Sequence, residues 1–418
     1  MNQHYGDVVI VTNSPGELSS WVRVITDSIK AKKPDTRIIV MLVPCPYATG
    51  REEEIARSFP SVDVIFTPGD FLQFLFFNKT PGNIKFSQRG VVVFLGGDFW
   101  HAAWASWKLN FPAIAYTARS YAGWCSRFRY ILCPDERVRR GLQELKVPDR
   151  KIKVVGNLVV EGVKPTKNRT ECYSQWNLDP SRLTVGIFPG SRIYNMQDSL
   201  PVFLKVAEEI KQQEQNVQFI IGLSPFIHLD EINKAIESPH TPIPGVCGRV
   251  SNSGSMLMVE TSGGLQIPVI QSLQYDIMNI ADMIITIPGT NTAECAFLGK
   301  PMVVSSSWKA RIPRGGLGFF VNSLPLGNLR KKLYEGMLEQ LKYTALPNMI
   351  AHRSIVPEVF VNESSKEISD VAVKLLRDEQ WREKISDELK KIMGPTGAAK
   401  KITELVFDVM YESGPEAL

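Results

Sequence analysis

Residues 7–29 read DVVIVTNSPGELSSWVRVITDSI. Asp7–Thr12 is a short apolar run of the kind that forms a buried strand, and Leu18, Trp21, Val22, Ile25 and Ile29 then fall on one helical stripe. Between them Ser14-Pro15-Gly16-Glu17 has the chemistry of a helix start, with Ser14 as N-cap, Pro15 in the first turn and Glu17 at the third position. Strand, tight turn and helix are half of a βαβ unit. The same alternation continues through Arg37–Val43, Val62–Phe66, Val91–Leu95, Ala113–Tyr116, Tyr130–Cys133 and Lys153–Val155 as strands, with Glu136–Lys146 as a helix. It implies a parallel sheet covered on both faces.

Periodicity lapses over residues 157–182, which gather charge, Asn and Pro and read as a connection. It restarts with Thr184–Phe188 as a strand, Ser199–Gln213 as a helix, and Val217–Gly222, Met283–Ile287 and Pro301–Val304 as strands. From Lys366 onward the pattern is purely helical. The expected fold is α/β: two doubly wound domains, residues 1–160 and 180–365, with a helical C-terminal tail over 366–418. In such folds ligands gather at the carboxyl ends of the strands, and in a pair of them at the cleft.

The 418 residues are 44% hydrophobic and 22% charged, which excludes a disordered or disulfide-stapled chain. A net charge of +5 is too weak to indicate nucleic acid but suits anionic ligands or an anionic membrane surface. Cys45, Cys125, Cys133, Cys172, Cys247 and Cys295 show no C-x-x-C spacing, and the five histidines form no metal pattern. Neither metal nor cofactor is expected. The N-terminus lacks the basic region and long apolar run of a signal peptide, and no stretch would span a bilayer. The expected location is the cytoplasm.

Four loops carry candidate chemistry. Ser14, Gly16 and Glu17 start a helix, and free amides there also suit a polar or anionic group. Asp98, in Gly96-Gly97-Asp98-Phe99-Trp100-His101 directly after the apolar run Val91–Leu95, is either a general base or a helix cap. His101 beside it reads as structural. Pro189-Gly190-Ser191-Arg192 follows the first strand of the second half, and the Arg192 fork suits phosphate. Pro288-Gly289-Thr290-Asn291-Thr292-Ala293-Glu294 offers a second helix start for a diphosphate. Glu294 there either accepts ribose hydroxyls or answers Asn291 in a capping box. Neither a G-x-x-x-x-G-K-[ST] loop nor a G-x-G-x-x-G turn is present. The run from Phe66 to Phe77, with Trp100, Trp104 and Trp107 and the basic Lys79, Lys85, Arg89 and Lys108, fits a membrane interface or a well-filled core.

Taken in order, these segments resemble the lipid-A-disaccharide synthase family, inverting glycosyltransferases of the GT-B fold. Gly16-Glu17-x-Ser19 is similar to the start of its G-E-x-S-G-D loop, Asp98-Phe99 to its P-D-F-N segment, and Pro189 to Arg192 to its P-G-S-R loop. Pro288-Gly289-Thr290-x-Thr292-x-Glu294 resembles S-G-T-x-T-x-E. Leu346-Pro347-Asn348 and Val356-Pro357-Glu358 resemble the L-P-N and V-P-E-L-x-Q signature. The chain departs at Ser20 and Trp21, where the family has Gly and Asp, and at Val361, where it has Gln. The stretch between Val304 and Leu346, with Arg311 within it, is longer.

The resemblance implies two Rossmann-like domains, a UDP-sugar on the C-terminal one and a lipid-linked sugar acceptor on the N-terminal one. It implies Asp98 as base and Arg192 with the amides near Thr290–Thr292 on the diphosphate. Gly190, Ser191, Gly289, Asn291 and Glu294 then complete the donor site, and Ser14, Gly16 and Glu17 the other. The partners expected are a UDP-sugar donor, a lipid-linked sugar acceptor and a peripheral contact on the inner face of the cell membrane, with no nucleic acid. The helical tail suggests a homo-oligomer. A UDP-sugar epimerase of the same fold and a non-catalytic nucleotide-sugar-binding relative are the competing readings.

Overall fold

The computed structural model describes residues 6–13, 15–45, 50–239, 241, 243–254, 256–306, 342–361, 364–393 and 396–412. Ser14 and Arg311 lie outside them. The chain forms two compact units, one running to Gly162 and taking in the last helix, the other from Val163 through Met393.

The first unit is built on seven strands: β1 (Asp7–Thr12), β2 (Arg37–Leu42), β3 (Val64–Phe66), β4 (Gly90–Phe94), β5 (Ala113–Tyr116), β6 (Tyr130–Cys133) and β7 (Ile152–Val154). They lie in the order β3-β2-β1-β4-β5-β6-β7, all parallel, with Val9 beside both Ile39 and Val92. These strands are apolar on both faces because helices cover both. One core gathers Val9, Met41, Val92 and Phe94 with Phe66, Phe71, Phe74, Phe99 and Phe128. The buried Asp7 at the start of β1 is satisfied in full: Arg37 donates through Nε and Nη2 (2.8 and 2.6 Å), and Ser87 through its amide and hydroxyl (2.7 and 2.9 Å). Pairing of that completeness is what lets a carboxylate sit inside a sheet.

The second unit holds β8 (Leu183–Phe188), β9 (Val217–Leu223), β10 (Gly248–Ser253), β11 (Met256–Thr261), β12 (Gln266–Gln271), β13 (Met283–Thr286), β14 (Met302–Ser306) and β15 (Glu358–Phe360). Their order is β10-β11-β12-β9-β8-β13-β14-β15. The pairs β10–β11 and β11–β12 are antiparallel, and the rest of the sheet is parallel. The meander β10–β12 and the edge strand β15 were not among the expected strands.

Two expectations need correction. The helix expected from Ser199 spans Ile193–Gln213, with Pro201 inside it. The Pro201 carbonyl accepts from Val246 N outside the helix (3.1 Å). The connection 157–182 contains two short helices, Leu158–Glu161 and Arg169–Gln175, each started by an Asn cap. Asp276, also buried, secures that region by accepting from Thr166 N and Oγ1 and Lys167 N (2.6–2.8 Å).

The C-terminal helices are divided between the units. Lys366–Arg377 and Glu379–Met393 belong to the second, where Ser365 and Ser369 donate to Glu209 (2.7 Å each). Ala398–Glu412 belongs to the first, where Glu161 accepts from the Ala398 and Gly397 amides and Thr403 donates to Ser28 (2.8 Å). Their apolar stripes, including Ile368, Leu389, Ile402 and Val406, are buried within the chain itself.

Candidate active site

In a doubly wound sheet the crevice for a ligand lies where the strand order reverses, at the carboxyl ends. In the first unit that point falls between β1 and β4. The loops leaving these two strands contain Gly16, Glu17 and Asp98, and they touch. Thr12 Oγ1, fully buried, donates to Leu95 O (2.8 Å), and Leu95 N donates to Val11 O (2.9 Å). Gly96 and Gly97 have φ of +106° and +103°, and a Cβ on either would strike Glu17 (2.8 Å) or Asn13 (2.9 Å). Only glycine allows both the conformation and the approach.

Asp98 follows at the start of the helix Phe99–Leu109, exposed, and its carboxylate makes no cap hydrogen bond. The capping role open to it in sequence is therefore not taken. His101 is buried, stacked on Trp100 (3.6 Å) and edge-on to Phe71 (5.7 Å), with Nδ1 3.3 Å from Asp98 O. Burial holds its pKa below the ordinary imidazole value, so it is a neutral packing residue.

On the β1 side the chain enters Pro15–Glu17, widens into one π-turn over Leu18–Val22, and continues as Arg23–Lys32. Such widened turns recur at functional sites. Ser20 donates back to Gly16 O (2.6 Å), and Trp21 is buried edge-on against Tyr116 (5.1 Å). Thus the two residues of this loop that depart from the family pattern are a backbone brace and a packing residue.

In the second unit the order reverses between β8 and β13. Gly190 has φ +109°, and its Cβ position would lie 2.7 Å from Ile287, so the loops after β8 and β13 are in contact. Ser199 Oγ ties the first loop down through Pro189 O (2.6 Å). Ser191 and Arg192 lead into the helix Ile193–Gln213, and Arg192 Nη1 donates to Tyr194 Oη (3.0 Å). Beyond β13, Gly289 precedes the helix Thr290–Phe297. Gly289 and Thr290 are exposed and Asn291 half-buried. Thr292 is buried, and its hydroxyl donates to Gly289 O (2.8 Å) and accepts from Leu346 N (3.2 Å). It shapes the loop, leaving Gly289 and Thr290 outermost.

Glu294 makes no capping box with Asn291, because the helix is capped at Gly289. The carboxyl is buried instead, and Tyr275 Oη donates to its Oε1 (3.0 Å). Burial raises its pKa to about 7, against the opposing pull of the Tyr275 hydrogen bond. Tyr275 was missed in the sequence, where nothing links it to a residue nineteen positions on.

The L-P-N and V-P-E segments form a lock. Asn348, fully buried, accepts from Ile355 N (2.7 Å) and Val356 N (3.0 Å) and donates to Val356 O (2.9 Å) and Glu358 (2.7 Å). Glu358 also accepts from Thr344 N (2.7 Å) and Oγ1 (2.5 Å) and Ala345 N (3.1 Å), which pins β15 to the sheet.

Two doubly wound units, each presenting paired loops at its switch point, define the GT-B class of fold. Within that class the chain is a divergent relative, by sequence, of proteins named lipid-A-disaccharide synthase. That of Geobacter sulfurreducens is 26% identical over 263 residues, 62% of this chain and 57% of the relative. That of Nitrosococcus oceani is 26% identical over 253 residues, 60% of this chain and 54% of the relative. The match thus spans little more than half the length of these relatives. No family model matches the chain. Among solved structures, a UDP-GlcNAc 2-epimerase from Neisseria meningitidis bound to UDP-GlcNAc has a TM-score of 0.62 at 15% identity, covering 96% of this chain and all of that one.

Proposed function

We propose that the chain is an inverting glycosyltransferase that moves an acylated glucosamine-type sugar from a UDP-sugar to a lipid-linked sugar acceptor. The observation that carries this is the loop pair at the β8/β13 switch point, Pro189–Arg192 and Pro288–Glu294, placed where doubly wound sheets hold phosphate-bearing ligands. Relatives at 26% identity named for lipid A disaccharide synthesis support the acceptor class.

In this reading the exposed carboxylate of Asp98 takes the proton from the acceptor hydroxyl. The freed oxygen attacks the anomeric carbon from the face opposite the diphosphate, the carbon–oxygen bond to UDP breaks, and the configuration inverts. Negative charge grows on the diphosphate, where Arg192 and the amides at Thr290 and Asn291 act on the transition state. Glu294 accepts ribose hydroxyls when ionised. An acylated acceptor lies in a membrane, and no described helix is long and apolar enough to cross one. Exposed Phe76, Phe77, Trp104 and Trp107 on the helices Pro68–Phe77 and Phe99–Leu109 support peripheral contact instead.

A second reading, a UDP-sugar epimerase, is favoured by the fold likeness over 96% of the chain. One assay separates them. UDP-2,3-diacylglucosamine with 2,3-diacylglucosamine 1-phosphate should yield UDP and a disaccharide, with the donor unchanged when the acceptor is omitted. Conversion of UDP-GlcNAc to an epimer without acceptor, and no disaccharide, would overturn the transferase in favour of the epimerase.

A further inference from the structure

At the opposite, amino-terminal ends of β5, β6 and β7 the first unit has a cavity of about 670 Å³. Its lining contains Arg127, Arg129, Arg150 and Lys151 and no acidic side chain. Three of the four have partners within the fold. Arg127 Nε donates to Ser106 Oγ (3.1 Å), and Lys151 Nζ donates to the carbonyls of Cys125, Ser126 and Phe128 (2.8–3.3 Å). Arg129 forms an exposed pair with Glu412 (3.0 Å) and lies over the Tyr130 ring. Burial depresses the Lys151 pKa, and Arg150 and Arg129 depress it further, whereas Cys125 opposes. An anion in the cavity would relieve that repulsion.

One lining residue, Arg127, is bonded to the helix that carries the exposed tryptophans. Ser106, which takes the Arg127 hydrogen bond, precedes Trp107, whose surface is 75% exposed. The next residue, Lys108, reaches Leu75 O (2.5 Å) at the end of the neighbouring helix, beside Phe76 and Phe77, 64% and 70% exposed. A ligand satisfying both features has a phosphate head and an apolar tail.

We propose that Arg127, Arg129, Arg150 and Lys151 form a binding site for the phosphate headgroup of a membrane phospholipid, with Trp107 and Phe77 entering the acyl region beside it. Guanidinium forks match phosphate oxygens in pairs, and aromatic rings are at home at the lipid interface. The proposal rests on the membrane-contact reading above but not on the transfer reaction, since the site stands at the other end of the sheet from Asp98.

Sedimentation with vesicles of phosphatidylcholine containing phosphatidylglycerol tests it on the whole chain, without substrate. The wild type should bind these and leave pure phosphatidylcholine largely unbound. Arg127→Gln with Arg150→Gln should weaken binding about 25-fold, about fivefold for each cation near an anionic surface. Trp107→Ser should weaken it as well. Circular dichroism and UDP affinity equal to wild type show that each variant is folded. Unchanged vesicle binding by the double variant overturns the site. So does full displacement of the wild type from vesicles by low-millimolar inorganic phosphate, which would make free phosphate the ligand. A protein that transfers no sugar yet binds vesicles through these arginines refutes the reaction and keeps the site.

Discussion

At the scale of single residues, charge and conformation decide what each loop can do. Arg192 is the one cation of the Pro189–Arg192 loop, and in the proposed reaction it acts on charge that develops late. Arg192→Ala should lower kcat about 100- to 1000-fold with a smaller change in KM, and Arg192→Lys should recover part of the loss. Steady-state kinetics decide this, and near-normal turnover of the alanine variant would remove Arg192 from the chemistry. Asp98→Asn should cost about 100-fold or more in kcat while UDP affinity stays put, because the carboxylate is exposed and braces nothing. Glu294 binds its proton more tightly folded, with a pKa of about 7 against 4.5 for an ordinary Glu. Its contribution to stability is therefore full below about pH 4.5 and is lost as pH rises through about 7. Melting temperatures of Glu294→Gln should exceed wild type at pH 8, with the advantage shrinking toward pH 5.

At the scale of elements, the loops are shaped by backbone as much as by side chains. Gly96→Ala combines a positive φ with a collision on Glu17, and should cost about 2 kcal/mol in denaturant unfolding. Asn348→Ala would leave the amides of Ile355 and Val356 without their acceptor and strip one donor from Glu358, so about 3 kcal/mol or more is expected. The strands of the first unit were legible because apolar runs such as Val91–Leu95 mark doubly covered parallel strands. β10 to β12 were not: Gly248–Ser253 is mostly polar in sequence, and the antiparallel pairing of β10 with β11 and of β11 with β12 is a property of register that no single run shows. The early start of the helix Ile193–Gln213 was hidden by Pro201, which lacks a backbone N–H and so reads as a first-turn residue. The loops at both switch points were legible, whereas Tyr275 and the burial of Glu294 arise from packing between elements.

For the molecule as a whole, likeness in sequence and likeness in fold lead to differently named proteins. Proteins named lipid-A-disaccharide synthase are similar to it in sequence, whereas a protein named UDP-GlcNAc 2-epimerase shares its backbone over nearly the full chain. Both readings require a uridine nucleotide between the loops after β8 and β13, so that seat is the claim on which everything else depends. Hydrogen exchange followed by mass spectrometry, with and without saturating UDP, tests it directly. Peptides covering residues 188–194 and 287–294 should exchange more slowly with UDP bound, while those over β10 and β11 should not change. Unaltered exchange in both loops at saturation, or protection elsewhere in their place, would contradict the nucleotide site and both enzymatic readings with it.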